Sequence, residues 1–212
     1  MEILQHLSES LQRGEDETVF ALTRQAIEGG IPPKEILDSG LIAGMNVIGE
    51  RFRKHEIFLP DVLMAAKAMY AGLDQIRPIL EREGIPGLGR VAIGTVHGDL
   101  HDIGKNLVGI MLRGTGFEVI DLGRDVPPAR FVESVERERV QVIGMSALLT
   151  TTMPVMKQVI DLLREKRLSD SVRTIIGGAP VTEAFAREIG ATAYAFDAAS
   201  AIARVKSLLG IR

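Results

Sequence analysis

The 212-residue chain contains no cysteine and no tryptophan. The first absence excludes disulfides and thiolate ligation of a metal, and it fits a reducing compartment. The second removes the usual stacking platform for nucleobases. Aromatic residues make up only 4% of the chain, so Leu, Ile, Val, Ala and Met must fill the interior. No basic run is present. With 25 Lys and Arg against 28 Asp and Glu, the net charge is −3, which argues against a nucleic-acid partner. No apolar run approaches bilayer-spanning length, so no membrane segment is expected. The N-terminus, Met1-Glu2-Ile3-Leu4-Gln5-His6, carries early charge and lacks the apolar core of a signal peptide. A cytoplasmic protein is expected. What the chain does have is 46% hydrophobic residues and a mean hydropathy of +0.16, enough for a well-cored globular protein of one or two domains.

The two halves of the chain follow different patterns. Residues 1 to 84 read as helix. Thr18 to Ile27 carries apolar positions on a helical stripe and stops at Gly29-Gly30. Pro32-Pro33 opens a longer helix through Ile36, Leu37, Leu41, Ile42, Met45, Val47 and Ile48, broken by Glu56-Ile57-Phe58-Leu59-Pro60. A last helix is expected over about Asp61 to Glu83, completing a small antiparallel bundle. Met45, Met64, Met69 and Met111 read as core filler.

Glu83-Gly84-Ile85-Pro86-Gly87-Leu88-Gly89 is a linker by composition. The expected division is therefore a helical domain over 1–84, a linker over 85–89 and a second domain over 90–212. In that second domain strands alternate with helices. The candidate strands are Val91–Val96, Glu118–Leu122, Gln141–Ser146, Arg173–Ile176 and Ala191–Phe196. Helical stretches lie near Lys105–Arg113, Pro128–Glu138, Met153–Glu165, Val181–Glu188 and Ala199–Leu209. The alternation implies a five-stranded parallel sheet covered on both faces, flavodoxin- or Rossmann-like, in the order 2-1-3-4-5. Its ligand crevice should lie between strands 1 and 3, at their carboxyl ends.

Three loop clusters fall at that crevice. The first is Gly98-Asp99-Leu100-His101-Asp102-Ile103-Gly104, after strand 1. A histidine two residues from a carboxylate can give it one ring N–H and keep the other nitrogen for a metal. On this segment alone, His97 and His101 also read as ordinary loop histidines and Asp102 as a helix N-cap. The second cluster is Ser146-Ala147-Leu148-Leu149-Thr150-Thr151-Thr152, after strand 3, and the third is Gly177-Gly178-Ala179-Pro180, after strand 4. Lys105 and Asn106 read as the start of a solvent-facing helix.

Asp-x-His-x-x-Gly, then Ser-x-Leu, then Gly-Gly resembles the cobalamin-binding signature, with family-like spacing. Gly44-Met45-Asn46-Val47-Ile48-Gly49-Glu50-Arg51-Phe52, followed by Phe58-Leu59-Pro60-Asp61-Val62-Leu63, resembles the helical cap that precedes that domain in methionine synthase and in corrinoid proteins. The resemblance implies a cobalamin or related corrinoid bound base-off, with His101 as the lower ligand to cobalt. Asp99 would hold the other ring nitrogen, and Thr152 stands where methionine synthase has a relay serine. Because only neutral imidazole donates to a metal, binding should weaken at low pH.

Also by resemblance, Gly98, Leu100, Asp102, Ile103 and Gly104 would contact the cofactor. Ser146 would hydrogen-bond the displaced nucleotide tail, Leu148 would line its slot, and Gly177 and Gly178 would let the tail pass close to the backbone. Thr150 and Ala198 carry over as further contacts. In the cap, Phe52, Leu59 and Val62 would cover the upper face of the corrin, and Asp38 matches a carboxylate that contacts the cofactor.

The function implied is methyl carriage in one-carbon metabolism, by a non-catalytic subunit of a corrinoid-dependent methyltransferase system. The implied partners are a substrate:corrinoid methyltransferase, a second methyltransferase acting on tetrahydrofolate or coenzyme M, and a corrinoid-reactivating reductase. The chain is too short to hold a catalytic TIM barrel of roughly 250 residues as well. The alternative reading is a B12-dependent sensor or regulator, but no basic helix-turn-helix is evident.

Overall fold

The structure, a computed structural model, describes residues 2–84 and 87–211. Of the expected linker, Ile85 and Pro86 lie outside the described residues. The chain separates into two compact units, Met1–Gly87 with Arg113–Gly116 and Leu88–Leu112 with Phe117–Arg212.

The first unit is helical: α1 (Glu2–Gln12), α2 (Asp16–Glu28), a short α3 (Pro33–Glu35), α4 (Ala43–Arg53) and α5 (Leu59–Arg82). Leu4, Leu7 and Leu11 recur at helical spacing on α1 and are all buried. The long helix expected after Pro33 is not a continuous α-helix, because Ile36–Ile42 forms a π-helix between α3 and α4. The wider turn brings Ile36, Gly40 and Leu41 to one buried side. Gly40 allows that close approach: a Cβ there would sit 2.5 Å from Leu7 Cδ2. Helix α5 begins at Leu59 rather than Asp61, because proline is tolerated in the first turn. The Asp61 carboxylate then accepts the Phe58 N–H at 2.9 Å. Met45, Met69 and Met111 are buried, whereas Met64 is exposed.

The second unit is a five-stranded parallel sheet in the order β2-β1-β3-β4-β5. The strands are β1 (Arg90–Thr95), β2 (Glu118–Asp121), β3 (Val142–Ser146), β4 (Arg173–Gly177) and β5 (Ala193–Ala195). The helices are α6 (Ile103–Gly114), α7 (Pro128–Glu138), α8 (Pro154–Glu165), α9 (Glu183–Ile189) and α10 (Ala198–Leu208). Adjacent residues of β1 show that both faces are covered. A Cβ at Gly109 of α6 would meet Ile93 Cδ1 at 2.6 Å, and one at Gly94 would meet the Phe131 ring of α7 at 2.8 Å. The α7 face holds one apolar cluster that includes Val96, Phe131, Ile143, Met145, Val159 and Ile176.

Strand β5 is shorter than the expected Ala191–Phe196. Ala191 N–H closes the end of α9 on Ala186 O, and Asp197 caps α10, so only the residues between them are left to pair with β4. Among the described residues no helix is long and apolar enough to cross a membrane.

Candidate functional site

The strand register assembles the site. Thr95 pairs with Ser146, Ser146 with Gly177, and Gly177 with Ala195. This row marks the carboxyl ends of β1, β3, β4 and β5, so the loops that follow emerge side by side. The row falls where the strand order reverses between β1 and its neighbours β2 and β3.

At its centre is Asp99, whose side chain is completely buried. Its Oδ1 accepts the His101 backbone N–H at 3.1 Å and lies 2.8 Å from His101 Nδ1. Its Oδ2 accepts the N–H groups of Leu148 at 2.7 Å and Leu149 at 3.2 Å, and lies 2.9 Å from Thr152 Oγ1. Burial disfavours this carboxylate. The donors from Leu148, His101 and Thr152 outweigh it and hold the pKa well below the usual carboxylate range. The Thr152 hydroxyl has one proton and two acceptors in reach, Asp99 Oδ2 and Leu149 O at 2.8 Å; the charged oxygen makes the stronger bond.

A neutral imidazole whose Nδ1 lies against a carboxylate keeps its proton on that nitrogen, which leaves the Nε2 lone pair for another partner. The His101 side chain is 53% exposed, and Asp99 engages it through Nδ1 rather than Nε2. The backbone of His101 is fixed as well, because Thr95 Oγ1 donates to its carbonyl at 2.9 Å. The structure thus brings Asp99, His101 and Thr152 together from two loops, along with Leu148.

The loops around this group are apolar and exposed. Leu100 and Ile103 are solvent-facing on the first loop, Leu148 and Leu149 on the second, and Phe196 after β5. The sequence assigns no role to Leu149 or Phe196: Leu149 reads only as part of the loop after strand 3, and Phe196 as the last residue of strand 5, which in fact ends at Ala195. Asp102 is half-buried and Thr150 is exposed. Ser146 ends β3, half-buried. Ala198 is buried at the start of α10, behind the Asp197 cap.

The glycines differ in what they need. At Gly178, φ is +124° and a Cβ would sit 1.9 Å from Ala147 O. At Gly177 a Cβ would sit 2.7 Å from Ala195 O. Both have a reason for glycine inside the protein. Gly98 has φ +82°. Gly104 has neither constraint: no positive φ, and no atom within 4 Å of an added Cβ. Small size there leaves room for something other than the chain itself.

The helical unit holds the remaining candidates. Phe52 and Leu59 are half-buried, Val62 is fully buried, and Phe58 beside them is exposed. Asp38 lies in the π-helix and pairs with Lys34 at 2.6 Å.

Lys105 departs from expectation: it is buried rather than solvent-facing. Its partner is the Asp121 carboxylate, 2.7 Å away at the end of β2. The local pattern reads a lysine in a first helical turn as exposed, and its partner lies on a separate strand. The loop after β2 was also missed. Asp125 accepts the Gly98 N–H at 2.7 Å, its own N–H donates to Asp99 O at 3.0 Å, and its carboxylate lies 2.7 Å from His97 Nδ1. The Gly98 N–H and the neighbouring His97 pull the Asp125 carboxyl below its ordinary pKa.

A histidine with one free ring nitrogen, set among exposed apolar loops at the carboxyl ends of a parallel sheet, suits a large, flat-faced ligand with a metal at its centre. Residues 89–206 match the B12 binding domain family, and residues 3–77 match a second family also described as a B12 binding domain. The chain belongs to the B12-binding corrinoid proteins.

It is similar to the dimethylamine corrinoid protein of Methanosarcina barkeri, with 46% identity over 210 residues covering 98% of each chain. It is 44% identical to the trimethylamine corrinoid protein of the same organism, over 99% of this chain and 98% of that one. Among solved structures it matches the methanol:cobalamin methyltransferase complex MtaBC from Methanosarcina barkeri. There the TM-score is 0.88 and the identity 32%, over 99% of this chain and 80% of that chain.

Proposed function

We propose that the protein carries a methyl group on a corrinoid, bound base-off with His101 on cobalt, between two methyltransferases. The observation that carries this reading is the His101 ring, held through Nδ1 by the buried Asp99 with Nε2 left for another partner. When bound, the corrinoid supplies a cobalt centre that accepts and releases the methyl group. The chain's own residues ligate, orient and shield. Asp99 fixes the tautomer of His101, and Thr152 and the Leu148 N–H steady Asp99. Gly104 leaves room over the first loop, Ser146 and Leu148 contact the nucleotide tail, and Gly177, Gly178, Thr150 and Ala198 border it. Phe52, Leu59 and Val62 make the helical unit 1–84 a cap over the corrin's upper face, with 85–89 as the hinge to 90–212.

The methylamine corrinoid proteins at 44–46% identity support a methylamine:corrinoid methyltransferase as the loading partner. A second methyltransferase takes the methyl group to coenzyme M or tetrahydrofolate, and a reductase restores inactive cofactor. The purified protein, loaded with cobalamin and reduced, should gain a methyl group only when such a methyltransferase and its amine are supplied. Methylation from methanol alone, through a methanol methyltransferase, would overturn the donor class. In the Co(II) state, electron paramagnetic resonance should show coupling to one protein nitrogen. The same coupling in His101→Ala would remove His101 as the ligand.

A further inference from the structure

Lys105 is 4% exposed in its side chain. A buried ammonium has three N–H donors and needs an acceptor for each. All three are supplied: Asp121 Oδ1 and Oδ2 at 2.7 Å each, and Asn106 Oδ1 at 2.6 Å. The head group is therefore fixed in direction as well as in charge.

These bonds tie the first turn of α6 to the end of β2. Helix α6 starts at Ile103, two residues after His101. Asp121 Oδ1 also accepts the Gly123 N–H at 2.9 Å, and Gly123 O accepts the Thr95 N–H at 3.0 Å. Thr95 in turn holds the His101 carbonyl through its hydroxyl. At the other end of the same loop, Asp125 binds Gly98 and Asp99. The segment Asp121–Asp125 thus grips the His101 loop from both sides, and Lys105 links it to α6.

We propose that Lys105 is a positioning residue for His101, acting through Asp121 to set how far the imidazole reaches beyond the sheet. The proposal rests on the corrinoid reading above only in its cobalt measurement. The asymmetry of the pair makes it testable. Asp121 keeps 35% of its side-chain exposure, so replacing Lys105 does not strand a buried charge. Lys105→Met keeps the apolar stem and the packing. Asp121→Asn keeps an acceptor for Gly123 but removes the charge.

The full-length chain and the variants Lys105→Met, Asp121→Asn and the double variant are compared in two measurements. Without cofactor, amide exchange at Asp99 and His101 should quicken in each variant while the strands β3 and β4 keep their protection. With cobalamin, affinity should fall about 10-fold and the Co(II) coupling to nitrogen should weaken. The double variant should be no worse than the worse single one, because both act through one contact. If either single variant fails to fold, the double variant, which leaves no buried charge unpaired, carries the same comparison. Unchanged exchange at His101 overturns the proposal, as does a lower melting temperature with the nitrogen coupling intact. A wild-type chain that takes up no cobalamin defeats the corrinoid reading, and the exchange measurement still decides the role of Lys105.

Discussion

Five donors converge on the carboxylate of Asp99, and the site depends on its charge. Its pKa in the folded chain lies well below the unfolded carboxylate value of about 3.9. The stability it contributes is therefore fully present above that value and is lost as pH falls through the folded pKa. Wild-type unfolding free energy should drop steeply below about pH 4, and Asp99→Asn should flatten that drop. Denaturant titrations at a series of pH values check this. At neutral pH Asp99→Asn should cost about 2–3 kcal/mol, because its amide NH2 turns a donor toward either the His101 or the Leu148 N–H. Gly104 makes the opposite case. Nothing in the chain fills the space around it, so Gly104→Ala should leave the melting temperature of the cofactor-free protein within about 2 °C. It should weaken cobalamin binding, read by absorbance titration. Unaltered binding would show that the space over Gly104 is not used.

At the level of elements, strand ends and their loops carry the function. The glycine pair after β4 is bound by the fold whatever the ligand. Gly178→Ala puts a methyl group on a carbonyl oxygen at a backbone angle suited to glycine, and should cost about 3 kcal/mol or more in denaturant unfolding. A cost below about 1 kcal/mol would mean the loop relaxes freely. The order of strands and helices was legible in the sequence because each element carries its own period and its own stop signals. Strand Glu118–Asp121 and helix Pro128–Glu138 show this, with turn residues at Gly116, Gly123 and Pro127-Pro128. The π-helix over Ile36–Ile42 was not legible, because its apolar residues also fit a helix of ordinary pitch. What favours the wider turn is the packing of Gly40 against Leu7 of α1, a contact between distant segments.

For the whole molecule, the carrier reading assigns different work to the two units. The helical unit should slow photolysis of bound methylcobalamin by holding the separated radical pair. A fragment over 89–212 should still bind the cofactor and photolyse faster than the full chain; equal rates would remove the shielding role. The sequence by itself determined the α/β alternation and which loop follows which strand. Those features are written in local periodicity and in residue types with few alternatives. Only the tertiary structure decided that Lys105 is buried and that the Asp121–Asp125 loop grips the His101 loop. The reason is physical: a lysine leaves water only where acceptors arrive to meet all three of its protons. One of them is the neighbouring Asn106, but the two carboxylate oxygens of Asp121 come from a strand that local sequence does not place beside it.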